Sequence, residues 1–269
     1  MSILDAIIQN KIAEVAMNKS KVSLQELKEK IQKQEPARDF LGSLRKKAPL
    51  SIIAECKQRS PSKGTLISPY VPETIAKSYE DGGAAAISVL TDGVFFGGTL
   101  EDIRKVRQKT SIPILRKDFI IDEYQIFESR AWGADSFLLI AGVLDLQTID
   151  QYIHLGRTLG MEPLIESHTE KELELAAHSQ GTIIGVNNRN LSSFDVDLKK
   201  SAIALSHIDT TKNKDHSLSR LFVCESGIHS WKDVLTMKNL GFSAFLVGES
   251  LIKSPDPLKK IKELQGENP

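Results

Sequence analysis

One pattern recurs eight times along this chain and limits its possible folds. A short apolar segment ends in a polar or glycine-bearing loop, and a helical pattern follows. The apolar segments are Leu50–Cys56, Ala84–Leu90, Ile112–Lys117, Asp135–Ala141, Glu162–Glu166, Thr182–Asn187, Leu221–Glu225 and Ser243–Gly248. Between them lie amphipathic stretches such as PETIAKSYEDGG, TLEDIRKVRQKT, DEYQIFESRAWG and TEKELELAAHSQG, several of which stop at glycine. Successive strands are roughly 20–40 residues apart, which suits βα units joined in a parallel sheet. Eight such units in 269 residues predict an α/β protein, a closed (β/α)8 TIM barrel. An open doubly wound sheet would carry GxGxxG after its first strand, and CKQRSPSKG is not that motif.

Ahead of the barrel, Ile3, Leu4, Ile7, Ile8, Ile12 and Val15 form a stripe at helical spacing, and Leu24, Leu27 and Ile31 form a second. Pro36 and the basic run Arg45–Lys47 lead into the first strand. We expect one domain over residues 1–269, with 1–47 as an N-terminal helical extension and 48–269 as the barrel. No Pro/Gly-rich linker divides it. The polar segment His207–Arg220 reads as a flexible insertion before the seventh strand.

Lysine plus arginine equals aspartate plus glutamate at 35 each, so the chain lacks the basic excess of bulk nucleic-acid binders. No apolar run is long enough to span a bilayer, and the N-terminus lacks a signal-peptide pattern, so a cytoplasmic protein is expected. Cys56 and Cys224 fit no metal or disulfide spacing.

In this barrel the chemistry lies at the C-terminal ends of the strands. Glu55 and Lys57, two apart, share a strand face, with Cys56 turned the other way. Lys117, Glu166, Asn187 and Glu225 close later strands. Three carboxylates, two lysines and an amide converging on one mouth would be costly to bury without a ligand or mutual pairing. They suit proton transfer, with one glutamate kept ionised as a base and another raised as an acid. No histidine ends a strand, and the lysines would repel a divalent cation, so no metal is expected. Gly227 in ESG, with Gly248, Glu249 and Ser250 in VGES, follows strands seven and eight, where such barrels often bind phosphate. His168 is expected to cap the helix after strand five or to support Glu166. The histidines at 154, 178, 207, 216 and 229 are expected at the surface.

IIAECKQRSPSKG, ISVLTDGVFFGG, PILRKDFIID, LIESHTEKEL, IIGVNNRNL, ESGI and FLVGESL together resemble the indole-3-glycerol phosphate synthase family, the ring-closing enzymes of tryptophan biosynthesis. The resemblance runs in family order along the chain. It implies a phosphorylated small-molecule substrate, 1-(2-carboxyphenylamino)-1-deoxy-D-ribulose 5-phosphate, and ring closure with loss of carbon dioxide and water, without a cofactor. It implies Lys117 as general acid, with Glu55, Lys57 and Glu166 serving the later proton transfers. Asn187 and Glu225 match further catalytic positions, while Ser60, Phe96, Phe119, Leu138, Arg189 and Ser226 match substrate contacts. The implied protein is a monomer or weak dimer, with other tryptophan-pathway enzymes as candidate partners and no nucleic-acid or membrane partner. A competing barrel, phosphoribosylanthranilate isomerase, is expected to use a cysteine–aspartate pair, and the outward-facing Cys56 argues against it.

Overall fold

The computed structural model describes residues 3–189, 196–198 and 220–267. Eight parallel strands form a closed barrel: β1 Ser51–Cys56, β2 Ala86–Leu90, β3 Ile114–Lys117, β4 Ser136–Ile140, β5 Leu164–Ser167, β6 Ile183–Asn187, β7 Leu221–Glu225 and β8 Ala244–Val247. Each pairs with its sequence neighbours, and β1 closes on β8 through Ile53 opposite Leu246. The expected strands are all present, each within two residues of its expected bounds.

The pleat sorts every strand onto two faces. Ile53, Leu115, Leu138, Leu164, Ile183, Val223 and Leu246 fill the barrel. Ile52, Ala54, Cys56, Val89, Phe137, Ile165 and Phe245 pack outward against the helices. Both faces are buried, so the strands read as continuous apolar runs rather than alternating ones.

The extension holds three helices, α1 Ile3–Lys21, α2 Leu24–Gln32 and α3 Phe40–Lys47. Ser23 caps α2 in a capping box with Glu26. Leu27 and Ile31 then pack on Tyr124 and Phe127 of the helix Glu123–Ala131. Helix α3, whose N-cap is Asp39, is too short to show a clear apolar period in the sequence. Its Phe40 and Leu44 are buried among the barrel-interior residues, next to Ile53 and Ala85. Ser51 Oγ donates to the Leu44 carbonyl at 2.5 Å, tying α3 to the start of β1. Thus α3 seals the end of the barrel opposite the strand C-termini.

The stripe on α1 also needs correction. Ile12 is 51% exposed, while Lys11 is fully buried between Ile7 and Val15, one turn away on either side. Lys11 Nζ reaches Asp118 at 2.9 Å and Asp92 at 3.1 Å, both fully buried. Asp118 in turn accepts from Arg116 at 2.9 Å, and Arg116 from its other side bonds Glu128 at 2.9 Å. A chain of alternating charges thereby joins α1 to the loops after β2 and β3. Such burial is tolerable only because every ion has an opposite partner.

The insertion at 207–219 lies outside the described residues, while Arg220 is placed and donates to the Ser179 carbonyl at 2.8 Å. No helix among the described residues is long and apolar enough to cross a membrane.

Candidate active site

The C-terminal ends of the strands open into a single cavity lined by every site residue expected from the sequence. Lys117 sits at its floor. Its ammonium bonds Glu166 from β5 and lies 3.1 Å from Glu225 Oε2 on β7. Glu55 and Lys57 form their own ion pair on the β1 side, as their shared face requires. Asn187 Nδ2 donates to Glu166 Oε1 at 3.3 Å, so three strands meet at one carboxylate.

These contacts set the protonation states. Burial disfavours the charged form of Lys117, but Glu166 and Glu225 outweigh it and hold the ammonium well above the ordinary lysine range. Burial likewise opposes ionised Glu166, yet Lys117 and His168 keep it well below the usual carboxylate range. Glu225 moves the other way: burial and the neighbouring Glu166 charge raise it, with Lys117 only partly opposing. The site therefore holds one carboxylate ionised and a second favouring the acid, the division expected when like charges share a buried site.

Two glycines make room for this. A Cβ on Gly185 of β6 would collide with Glu225 Oε1, and one on Gly248 after β8 would collide with Glu55 Oε1. Gly248 thus serves the carboxylate cluster as well as its turn.

On one wall Phe96 and Phe119 stand 6.2 Å apart between ring centroids, tilted by 33°. Leu138 and Ile140 rise from β4 beneath them. Asp92, held by Lys11, accepts from the Phe95 backbone N–H at 2.7 Å and caps the single turn that carries Phe96. Ser60 lies in the two-stranded ribbon Arg59–Ser60 with Gly64–Thr65 above β1.

On the opposite side Ser226 and Gly227 have φ of 64° and 84°, two consecutive left-handed residues that turn the backbone after β7. Gly248 begins the turn Glu249–Ile252 after β8. The Glu249 carboxylate is taken up by Lys63 at 2.6 Å and Lys253 at 2.9 Å, which push it down to about 2 against the opposing effect of burial. Ser250 Oγ donates to the Ile228 carbonyl at 2.9 Å. Arg189 approaches Glu249 at 3.7 Å.

Some lining residues come from outside the strand ends and their loops. Ile3, Leu4 and Ile7 of α1 reach into the cavity, so the extension forms part of its wall. The available signal was Lys11 continuing the Ile7–Val15 spacing. Of the two roles expected for His168 the structure shows the support of Glu166 and not the cap: Thr169 holds the cap position, accepting from the Glu172 backbone N–H. The His168 ring turns inward, with Nε2 2.7 Å from Glu166 Oε1. His154 and His178 are exposed as expected, and exposed His229 lies at the cavity rim. His207 and His216 fall outside the described residues.

Known proteins of similar fold include thiamine phosphate pyrophosphorylase from Pyrococcus furiosus, with a TM-score of 0.58 at 14% identity over 81% of this chain and 95% of that one. N-acetylmannosamine-6-phosphate 2-epimerase from Clostridium perfringens gives a TM-score of 0.55 at 16% identity, over 80% and 92%. At such identities these share the barrel alone. The sequence relatives go further. Indole-3-glycerol phosphate synthase from Trichodesmium erythraeum is 42% identical over 269 residues, covering 99% of this chain and 90% of the relative. Those from Kineococcus radiotolerans and Streptomyces griseus are 40% and 42% identical, each over 98% of this chain and 95% of the relative. The family model described as indole-3-glycerol phosphate synthase matches residues 4–264. This chain belongs to the indole-3-glycerol phosphate synthase family.

Proposed function

We propose that this mouth performs the family's ring closure with Lys117 as its general acid. The chain is a carboxy-lyase of tryptophan biosynthesis, converting 1-(2-carboxyphenylamino)-1-deoxy-D-ribulose 5-phosphate into indole-3-glycerol phosphate, carbon dioxide and water. The ring carbon bearing the carboxylate attacks the ketone carbon, and the ketone oxygen takes a proton as it becomes a hydroxyl. The Lys117 ammonium is the donor, positioned by Glu166 and Glu225. Loss of carbon dioxide restores the aromatic ring. The hydroxyl then departs as water, and the new five-membered ring gives up a proton.

Glu166, held ionised, is the base for that ring proton. The Glu55–Lys57 pair attends the departing hydroxyl, and Asn187 and Glu225 orient the groups around it. Phe96, Phe119 and Leu138 pack the phenyl ring. Ser60, Arg189 and Ser226 contact the polar chain, and backbone N–H groups after Gly227 and Gly248 receive the phosphate, with Glu249 and Ser250 completing that loop. No cofactor enters this scheme. Extension and barrel act as one domain, since buried Lys11 pairs with loops of the barrel. We further read the enzyme as cytoplasmic, which two free, buried cysteines support, and as a monomer or weak dimer with other enzymes of its pathway as partners.

The observation that carries the mechanism is Lys117 held between Glu166 and Glu225 in the floor of the cavity. Indole fluorescence with the anilino-ribulose phosphate substrate tests it. Lys117→Met should lose at least about 10²-fold in turnover, the lower range for one acid–base group, with substrate still bound. Near-normal turnover would remove Lys117 from the reaction.

A further inference from the structure

Glu166 has a partner that the scheme above does not use. The His168 side chain is 7% exposed and wedged between two acceptors. Its Nδ1 lies 3.3 Å from the Arg189 carbonyl oxygen, which can only accept, so Nδ1 carries hydrogen. Its Nε2 lies 2.7 Å from Glu166 Oε1. The N–H direction is off the oxygen, so this contact is an ion pair by distance rather than an aligned hydrogen bond. An unprotonated, partly negative Nε2 held 2.7 Å from an ionised carboxylate oxygen would be repelled. With Glu166 ionised, both ring nitrogens must therefore be protonated.

We propose that His168 is a positioning residue, an imidazolium that keeps Glu166 ionised and turned toward Lys117. This rests on the reading of Glu166 as the base. Glu166 Oε2 bonds Lys117, while Oε1 faces His168 and Asn187, so the carboxylate is clasped from both ends. Lys117 is shared with Glu225, so it alone does not fully compensate Glu166. The imidazolium supplies the rest. Two carboxylates face His168: Glu166 before it, and Glu172 from the following helix, whose Oε2 accepts the His168 backbone N–H at 2.7 Å, while the Lys117 ammonium lies across Glu166 on its other oxygen. The Arg189 guanidinium is drawn toward Glu249 instead. Burial lowers the histidine's proton affinity, but these carboxylates outweigh it and the net direction is up.

Nitrogen-15 NMR of the intact protein reads the ring state directly. His168, assigned by loss of its signals in His168→Gln, should keep both ring nitrogens protonated above about pH 6.5, where an ordinary histidine is half neutral. In turnover, His168→Gln and His168→Ala should lower kcat about tenfold, the scale of one charge-assisted contact, with KM little changed. Wild-type kcat should fall as pH rises through the elevated histidine pKa, and both variants should lose that limb. A ring that titrates at the ordinary value overturns the proposal, with no dependence on a variant folding. So do variants with wild-type kcat and an unchanged pH profile. Glu166→Gln separates the two layers. If it is inactive while His168→Gln is normal, only the role of His168 fails; if it is active, the reading of Glu166 fails and this proposal falls with it.

Discussion

Lys11 Nζ lies 2.9 Å from Asp118 Oδ1, and neither side chain is reached by solvent. The N-terminal helix is therefore fastened to the residue beside Lys117, and through Asp92 to the turn that carries Phe96. Lys11→Met would leave two carboxylates buried without that cation. We expect a loss of about 3–5 kcal/mol in urea unfolding, the cost of removing one partner from a buried pair. Activity should fall as well, because Ile3, Leu4 and Ile7 line the cavity from the same helix. An unchanged urea midpoint would show that the pair does not anchor α1.

The same pair predicts how stability responds to acid. Burial raises Asp118, but Arg116 and Lys11 outweigh it and depress the folded-state value far below that of an ordinary aspartate. A depressed carboxylate contributes stability that is complete above its unfolded pKa, about 3.9, and lost as pH falls toward the folded value. Asp118→Asn should therefore be much less stable than wild type at pH 7. The gap should narrow steadily below about pH 4, as Asp118 takes up its proton in the unfolded chain before it does so in the folded one. A gap independent of pH would mean that the charge of Asp118 is not what stabilises it.

Gly248→Ala and Gly185→Ala test the space left for the carboxylates. Each added methyl would strike a glutamate, Glu55 in one case and Glu225 in the other. Both positions have negative φ, so backbone strain is not the issue. Turnover should drop about 10²-fold, the scale of a small misplacement of a reacting group, while circular dichroism stays that of the wild type. Full activity in both variants would show that the glutamates do not need their present positions.

Inorganic phosphate should compete with substrate, and phosphate soaked into crystals should appear beside the backbone after Gly227 and Gly248. The Glu249 carboxylate, already engaged by Lys63 and Lys253, should not turn toward it. Phosphate bound only elsewhere, for instance at Arg45–Lys47, would move the site.

Cys56 and Cys224 face the helix layer, buried, on β1 and β7 with β8 between them. Strands once removed are roughly 9–10 Å apart, beyond the reach of a disulfide at about 7 Å between Cα atoms. Burial also raises both thiols, Cys224 to about 12. Neither should react with a thiol reagent until the protein unfolds, and Cys56→Ala with Cys224→Ala should retain activity. An internal disulfide formed in the folded protein would contradict the strand order.

The strand ends were legible because their geometry is local. In a pleated strand Glu55 and Lys57 must share a face and Cys56 must take the other, whatever the rest of the chain does. The same rule carries Lys117, Glu166, Asn187 and Glu225 inward once the eightfold repeat has implied a closed barrel. Helix α3 was less visible. Its sequence, FLGSLRKK, is short, and only packing of Phe40 and Leu44 against the barrel interior shows what it does.

The sequence by itself determined the barrel, its strand order and which strand-end side chains meet at its mouth, because these follow from periodicity and short connections. Only the tertiary structure decided that Lys11 is buried, that His168 turns to Glu166, and that Glu166 and Glu225 part in proton affinity. Lys11 and Asp118 are 107 residues apart. No local pattern encodes such contacts, and a group's charge state depends on the water it loses and on the neighbours that other strands bring to it.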